Sequence, residues 1–167
     1  MKPLPILAFA SLLSAAAPAA LASPWTQTSG ACPDVTTGDI NRQFGRFSEA
    51  WATLDPDVVT ALFSADPVLL PTVSNQPRTT PAGVRDYFVA FLKNRPDARI
   101  DTSTTEIDCR TASRVGTWTV TLTDPSTGAA REVKARYSFL YRFENGDWKI
   151  DHLHSSMMPE PDSAPAD

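Results

Sequence analysis

Large apolar side chains first recur at helical spacing from Ile40: Ile40, Phe44, Phe47, Trp51 and Leu54 lie three or four residues apart, which lines one face of a helix. Thr37 or Asp39 is placed to cap its start. Asp55-Pro56-Asp57 breaks that helix and opens a short second one, with Asp55 as cap, Pro56 at the first helical position, and Val58, Val59, Leu62 and Phe63 as its apolar side. Val68-Leu69-Leu70 predicts a short buried strand, followed by turn residues over 71–78. A third helix is expected from Pro81, burying Val84, Tyr87, Phe88, Phe91 and Leu92 until Pro96 stops it. Beyond Pro96 the pattern becomes strand-like. Strands are predicted over 98–109, 114–123, 132–143 and 147–157, with turns at 124–128 and at Asn145-Gly146. Helices first and antiparallel strands afterwards give an α+β domain, about three N-terminal helices packed on one side of a curved, mostly antiparallel sheet.

Asn145-Gly146 is the two-residue signal of a type I′ hairpin. Its register pairs Glu144 with Asp147, Phe143 with Trp148, Tyr141 with Ile150, Phe139 with His152, Tyr137 with His154 and Ala135 with Ser156. From Phe143/Trp148 onward, alternate pairs of this ladder share one face, because side chains alternate with period 2. That face carries Trp148, Ile150, Phe139 and Phe143, so it belongs against the helices. Tyr137, Phe139, His152, His154 and Ser156 are therefore the candidate pocket residues, for ligand binding or catalysis. A buried histidine needs a hydrogen-bonding partner; the two either satisfy one another and Tyr137, or face a ligand. Leu140, Leu153 and Met157, among polar neighbours such as Ser138, fall on the opposite face, which predicts a homodimer through it.

The ends of the chain change the setting. Lys2 precedes an apolar run over 4–13, and Ala20-Leu21-Ala22 fits a cleavage site, so 1–22 is expected to be a signal peptide. The run is too short for a membrane span. Residues 23–35 are expected to be irregular, 36–158 to form the domain, and 159–167 to be a disordered Pro/Asp/Ala tail. Export, to the periplasm or outside the cell, favours a disulfide between Cys32 and Cys109, the only two cysteines; two free thiols are the alternative. Fifteen Lys+Arg against 19 Asp+Glu give a net charge of −4 with no basic cluster, which argues against a nucleic-acid partner.

The stretch 136–159 resembles the C-terminal signature of the calcium/calmodulin-dependent protein kinase II association domain, through Gly146-x-Trp148-x-Ile150, His152-x-His154, Ser156 and Pro159. A second block over 51–96 is similar to the exported bacterial SgcJ/EcaC-like branch of that group. It is carried by Leu54-Asp55-Pro56-Asp57, Val68-Leu69-Leu70-Pro71-Thr72 and Asp86-Tyr87-Phe88 with Phe91-Leu92. The resemblance implies the nuclear transport factor 2-like (SnoaL-like, cystatin-like) fold, a cone of helices on a curved sheet with a pocket inside. The chain lacks a kinase domain and a calmodulin-target helix, so calmodulin binding is not expected. An Arg in the kinase-linked domain's matching strand is Phe139 here, which argues against an anionic-ligand pocket of the kinase-hub type.

Two functional classes follow. One is an exported, non-catalytic homodimer with an internal pocket for a small apolar ligand. The other is a cofactor-independent enzyme doing acid–base chemistry (an isomerase, cyclase or dehydratase), as some relatives of this fold do, with His154 as base and Tyr137 as acid or oxyanion donor. Asp151 alternates onto the face opposite His154, so no carboxylate completes that pair. No cofactor is expected, since no dinucleotide-binding G-x-G-x-x-G occurs. No metal is expected either: His152 and His154 could chelate from one face, yet they are the only histidines.

Overall fold

Each α-helix among the described residues starts on a capping side chain. In the computed structural model, which describes residues 31–159, Thr36 caps α1 (Thr37–Ala52). Its hydroxyl accepts from the Asp39 N–H, and the Asp39 carboxylate accepts from the Thr36 N–H at 2.8 Å. The cap is thus one residue ahead of Thr37, and Asp39 is the reciprocal partner of a capping box. Asp55 caps α2 (Pro56–Thr60), with Pro56 at its first position. Thr80 caps α3 (Pro81–Phe91), which a 3-10 turn at Leu92–Asn94 prolongs. Strand β1 (Phe63–Leu70) lies between α2 and α3 and begins well before the Val68 expected from the sequence; β2 (Asp97–Ile107), β3 (Thr111–Thr123), β4 (Ala130–Glu144) and β5 (Asp147–Met157) complete the chain.

The strands form one sheet in the order β1-β5-β4-β3-β2. β1 runs parallel to β5 and all other neighbours are antiparallel, so the domain is α+β with a mixed sheet. Ile40, Phe44, Phe47 and Trp51 of α1 and Val84, Phe88 and Phe91 of α3 are buried with Trp118, Val120, Phe139 and Tyr141 of the sheet. Phe47 is central: its ring lies 4.8 Å from that of Trp51, 5.3 Å from Phe139 and 6.3 Å from Phe88. Gly116 on β3 allows a close backbone approach. A Cβ there would stand 2.0 Å from the carbonyl oxygen of Thr102, beside a register shift in β2 between Ile100 and Thr102.

Cys32 and Cys109 are joined, closing a sequence separation of 77 residues. The bond fastens the irregular segment before α1 to the β2–β3 turn. The expected signal peptide over 1–22 and the tail from 160 lie outside the described residues. No helix among the described residues is long and apolar enough to cross a membrane.

The β4–β5 hairpin keeps the expected register only near its turn. Glu144/Asp147, Phe143/Trp148, Arg142/Lys149 and Tyr141/Ile150 pair as the turn dictates. Asp151 then has no partner in either neighbouring strand. It is a β-bulge, and one extra residue on one strand exchanges the faces of everything beyond it. Phe139 consequently pairs with Leu153 rather than His152, Tyr137 with Ser155 rather than His154, and Ala135 with Met157 rather than Ser156. The extra residue is anchored: the Asp151 carboxylate accepts from Arg142 Nη2 at 2.8 Å and from the Ser64 hydroxyl at 3.1 Å.

Candidate functional site

The bulge decides which β5 side chains meet the helices. Leu153 and Ser155 point inward and are buried, whereas His154 is exposed and His152 and Ser156 are half-buried on the outer face. Of the candidate pocket residues, only Tyr137 and Phe139 lie on the inner face. They pack on each other with ring centroids 5.7 Å apart, and the Tyr137 hydroxyl donates to the Thr102 carbonyl at 3.0 Å. His152, His154 and Ser156 belong to the opposite side of the sheet. There, partial burial and then the neighbouring His154 hold the His152 pKa below its usual value, against the pull of Asp151. The expected outer-face trio changes for the same reason: Leu140 remains outside, Leu153 is inside, and Met157 shares the face of Ala135 beyond the helical cover.

The inner face forms a pocket where it meets α3. Trp51 of α1, Tyr87, Phe88 and Phe91 of α3, and Leu69 of β1 form one side. Trp118, Val120 and Leu122 of β3, Val133 of β4, and Leu153 and Ser155 of β5 form the other, with Pro71, Thr72 and Val73 at the rim. The cavity has a volume of about 30 Å³, room for about one or two waters. Periodicity alone placed Trp51, Tyr87, Phe88 and Phe91 in the core; nothing in it marked that their packing leaves a gap.

The chemistry of the lining is narrow. Ser155 Oγ accepts from the Trp118 indole N–H at 3.1 Å and also takes a hydrogen bond from the Thr72 hydroxyl. The Trp51 indole N–H is buried and has no acceptor. Tyr87 is the only ionisable side chain in the lining, and burial raises its pKa further from neutrality. An apolar chamber with one satisfied hydroxyl cluster and one unsatisfied N–H suits a mostly apolar guest carrying a hydrogen-bond acceptor.

The SnoaL-like domain family matches residues 44–150, a span that runs from α1 to β5 and includes most of this pocket. The chain belongs to the SnoaL-like domain family. Among solved structures, this SnoaL-like domain is similar to a candidate calcium/calmodulin-dependent protein kinase II association domain from Xanthomonas campestris. The two are 38% identical with a TM-score of 0.73, over 79% of this chain and 95% of that one. A nuclear transport factor 2-like protein from Salmonella enterica shares the fold at 16% identity and TM-score 0.64, over 77% and 95% of the two chains. The association domain of the Caenorhabditis elegans kinase does so at 19% and 0.59, over 72% and 94%. No curated protein matches the chain. The expected nuclear transport factor 2-like fold is thus the fold of this SnoaL-like domain.

Proposed function

We propose that this SnoaL-like domain is an exported, non-catalytic binding module that dimerises through its outer sheet face and holds a small apolar ligand in the pocket between α3 and the sheet. The observation that carries the reading is the lining itself: aromatic and aliphatic side chains, with the buried Trp51 N–H lacking an acceptor. Acid–base catalysis needs a base and an acid with separated pKa values in one cavity. The lining offers neither a carboxylate nor an imidazole, and the histidines that would have served lie across the sheet. A single-ring guest needs more room than this cavity has, so its binding requires the rim at Pro71–Val73 to give way. The Cys32–Cys109 bond supports export, since such bonds persist in oxidising compartments. Val115 and Leu140 are both exposed on the outer face, and the resemblance to association domains supports a second copy of this chain as their cover.

Benzaldehyde and toluene, single rings with and without an acceptor, test the pocket. Benzaldehyde is expected to bind more tightly, raising the melting temperature and altering the emission of Trp51 and Trp118, and Val133→Phe is expected to abolish the effect by filling the cavity. Absence of saturable binding by either ring, or binding undiminished in Val133→Phe, refutes the pocket assignment. Light scattering is expected to give twice the chain mass; a single-chain mass at micromolar concentration removes the dimer.

A further inference from the structure

A second cavity lies beyond the C-terminal end of β1, the edge strand of the sheet. It is an open basin of about 200 Å³ between the loop that follows β1 and the C-terminal half of β5, room for on the order of ten waters. Its polar groups are the Ser74 hydroxyl, the Asn75 amide and the His154 imidazole, and its apolar surface is Leu70, Pro71 and Pro77. No Asp, Glu, Lys or Arg lines it. Asn75 and His154 are exposed, and neither side chain has a hydrogen-bond partner among the described residues. His154 stands in register with Leu70 of β1 and Ser138 of β4, so the bulge at Asp151 is what puts its ring on this side of the sheet.

Pro71 and Ser155 also line the apolar pocket. The two cavities therefore share a wall, tied together by the hydrogen bond from the Thr72 hydroxyl to Ser155 Oγ. A guest that makes the Pro71–Val73 rim give way parts this same wall, and the two spaces become one. The inner space is small and apolar; the outer one is larger and polar. Joined, they suit a molecule with an apolar body and a polar head. The head is uncharged, because a charged group finds no counter-charge in the lining of the basin to offset its lost hydration. A hydroxyl both donates and accepts, and so do a serine hydroxyl, a carboxamide and a neutral imidazole. Several hydroxyls on one head match the three polar groups, while Leu70, Pro71 and Pro77 offer an apolar surface to its carbons.

We infer, on the reading that the apolar pocket seats the guest's body, that the guest is an uncharged amphiphile whose polyhydroxylated head occupies the basin against Asn75 and His154. Benzyl alcohol serves as the body alone, benzyl β-glucoside as the body with a neutral polyol, benzyl phosphate as the body with a charged head, and glucose as the head alone. Each is titrated into the intact, disulfide-bonded protein, followed by melting temperature and tryptophan emission. Benzyl glucoside is expected to bind saturably and about tenfold more tightly than benzyl alcohol, the yield of one or two neutral hydrogen bonds. Benzyl phosphate is expected to bind no more tightly than benzyl alcohol, and glucose not measurably. The double variant Asn75→Ala, His154→Ala, at two exposed positions, is expected to lower benzyl glucoside to the affinity of benzyl alcohol and to leave benzyl alcohol unchanged. Val133→Phe is expected to abolish binding of both. The inference is overturned if the sugar adds no affinity, if benzyl phosphate or glucose matches benzyl glucoside, if the gain survives in the double variant, or if benzyl glucoside still binds Val133→Phe. Benzyl alcohol that binds with no gain from the sugar removes the head-group site and leaves the apolar pocket standing; no binding by benzyl alcohol, benzyl glucoside or benzaldehyde removes both.

Discussion

Leu153→Ala tests the bulge at Asp151, on which the whole inner surface depends. Leu153 is 3% exposed, opposite Phe139, and lines the pocket. Truncation to alanine removes three carbons, a transfer loss of about 2.4 kcal/mol at about 0.8 kcal/mol per methylene. The residual cavity adds to this, since measured Leu→Ala losses in cores run to about 3–5 kcal/mol. The pocket already holds free space beside the side chain, so little collapse can refill the gap, and about 3 kcal/mol is expected. For a domain of this size that lowers the melting temperature by about 10 °C. His154→Ala, on the exposed outer face, is expected to change stability by no more than about 0.5 kcal/mol. Urea unfolding of the disulfide-intact protein, followed by tryptophan emission, measures both, provided the denaturant slope is unchanged. An uninterrupted hairpin register reverses the two results, with Leu153 outside and His154 inside. A nearly neutral Leu153→Ala together with a loss of about 1–3 kcal/mol at His154 refutes the bulge.

Gly116→Ala is expected to cost about 2–4 kcal/mol or to prevent folding, because the new Cβ meets backbone rather than a yielding side chain. Gly45→Ala in α1, where a Cβ meets nothing within 4 Å, is expected to gain about 0.5–1 kcal/mol in the same denaturation assay. Asp147 receives two hydrogen bonds from Arg46, at 2.8 and 3.1 Å, and that pairing lowers its pKa to about 2 from an ordinary 3.8. A depressed carboxylate contributes its full stabilisation above the unfolded value and loses it as pH falls through the folded one. Asp147→Asn is therefore expected to cost less than about 1 kcal/mol at pH 7, the pair being partly exposed, and to approach the parent protein as pH falls from 4 through 2; a difference undiminished at pH 2 contradicts the assignment.

The helices were legible because each rested on two local signals that agreed: an apolar stripe and a capping residue or first-turn proline. The hairpin was legible as far as Tyr141/Ile150 because turn chemistry sets the register of the pairs next to it. Beyond Ile150 two rules conflict, and the conflict was visible in the residues. Counting outward from Asn145-Gly146 puts His152 and His154 inside and Leu153 outside, while the apolar sequence Trp148, Ile150, Leu153 steps by two and then by three. A step of three in a strand is what one inserted residue produces. The physical balance favours the insertion: it buries a leucine, worth about 1.5–3 kcal/mol, and keeps two imidazoles near water. Its cost is one unpaired residue, whose carboxylate Arg142 and Ser64 hold in place. Turn chemistry acts only through an unbroken ladder, so the burial pattern overrides it once the two diverge. Arg114 follows from the same logic applied to β3. It has the inward parity of Trp118, Val120 and Leu122, and a permanent charge at such a position breaks the local pattern. Asp151 resolves its conflict through partners on the neighbouring strands, whereas none of the ion pairs among the described residues includes Arg114, whose guanidinium instead lies over the rings of Phe44 and Tyr137.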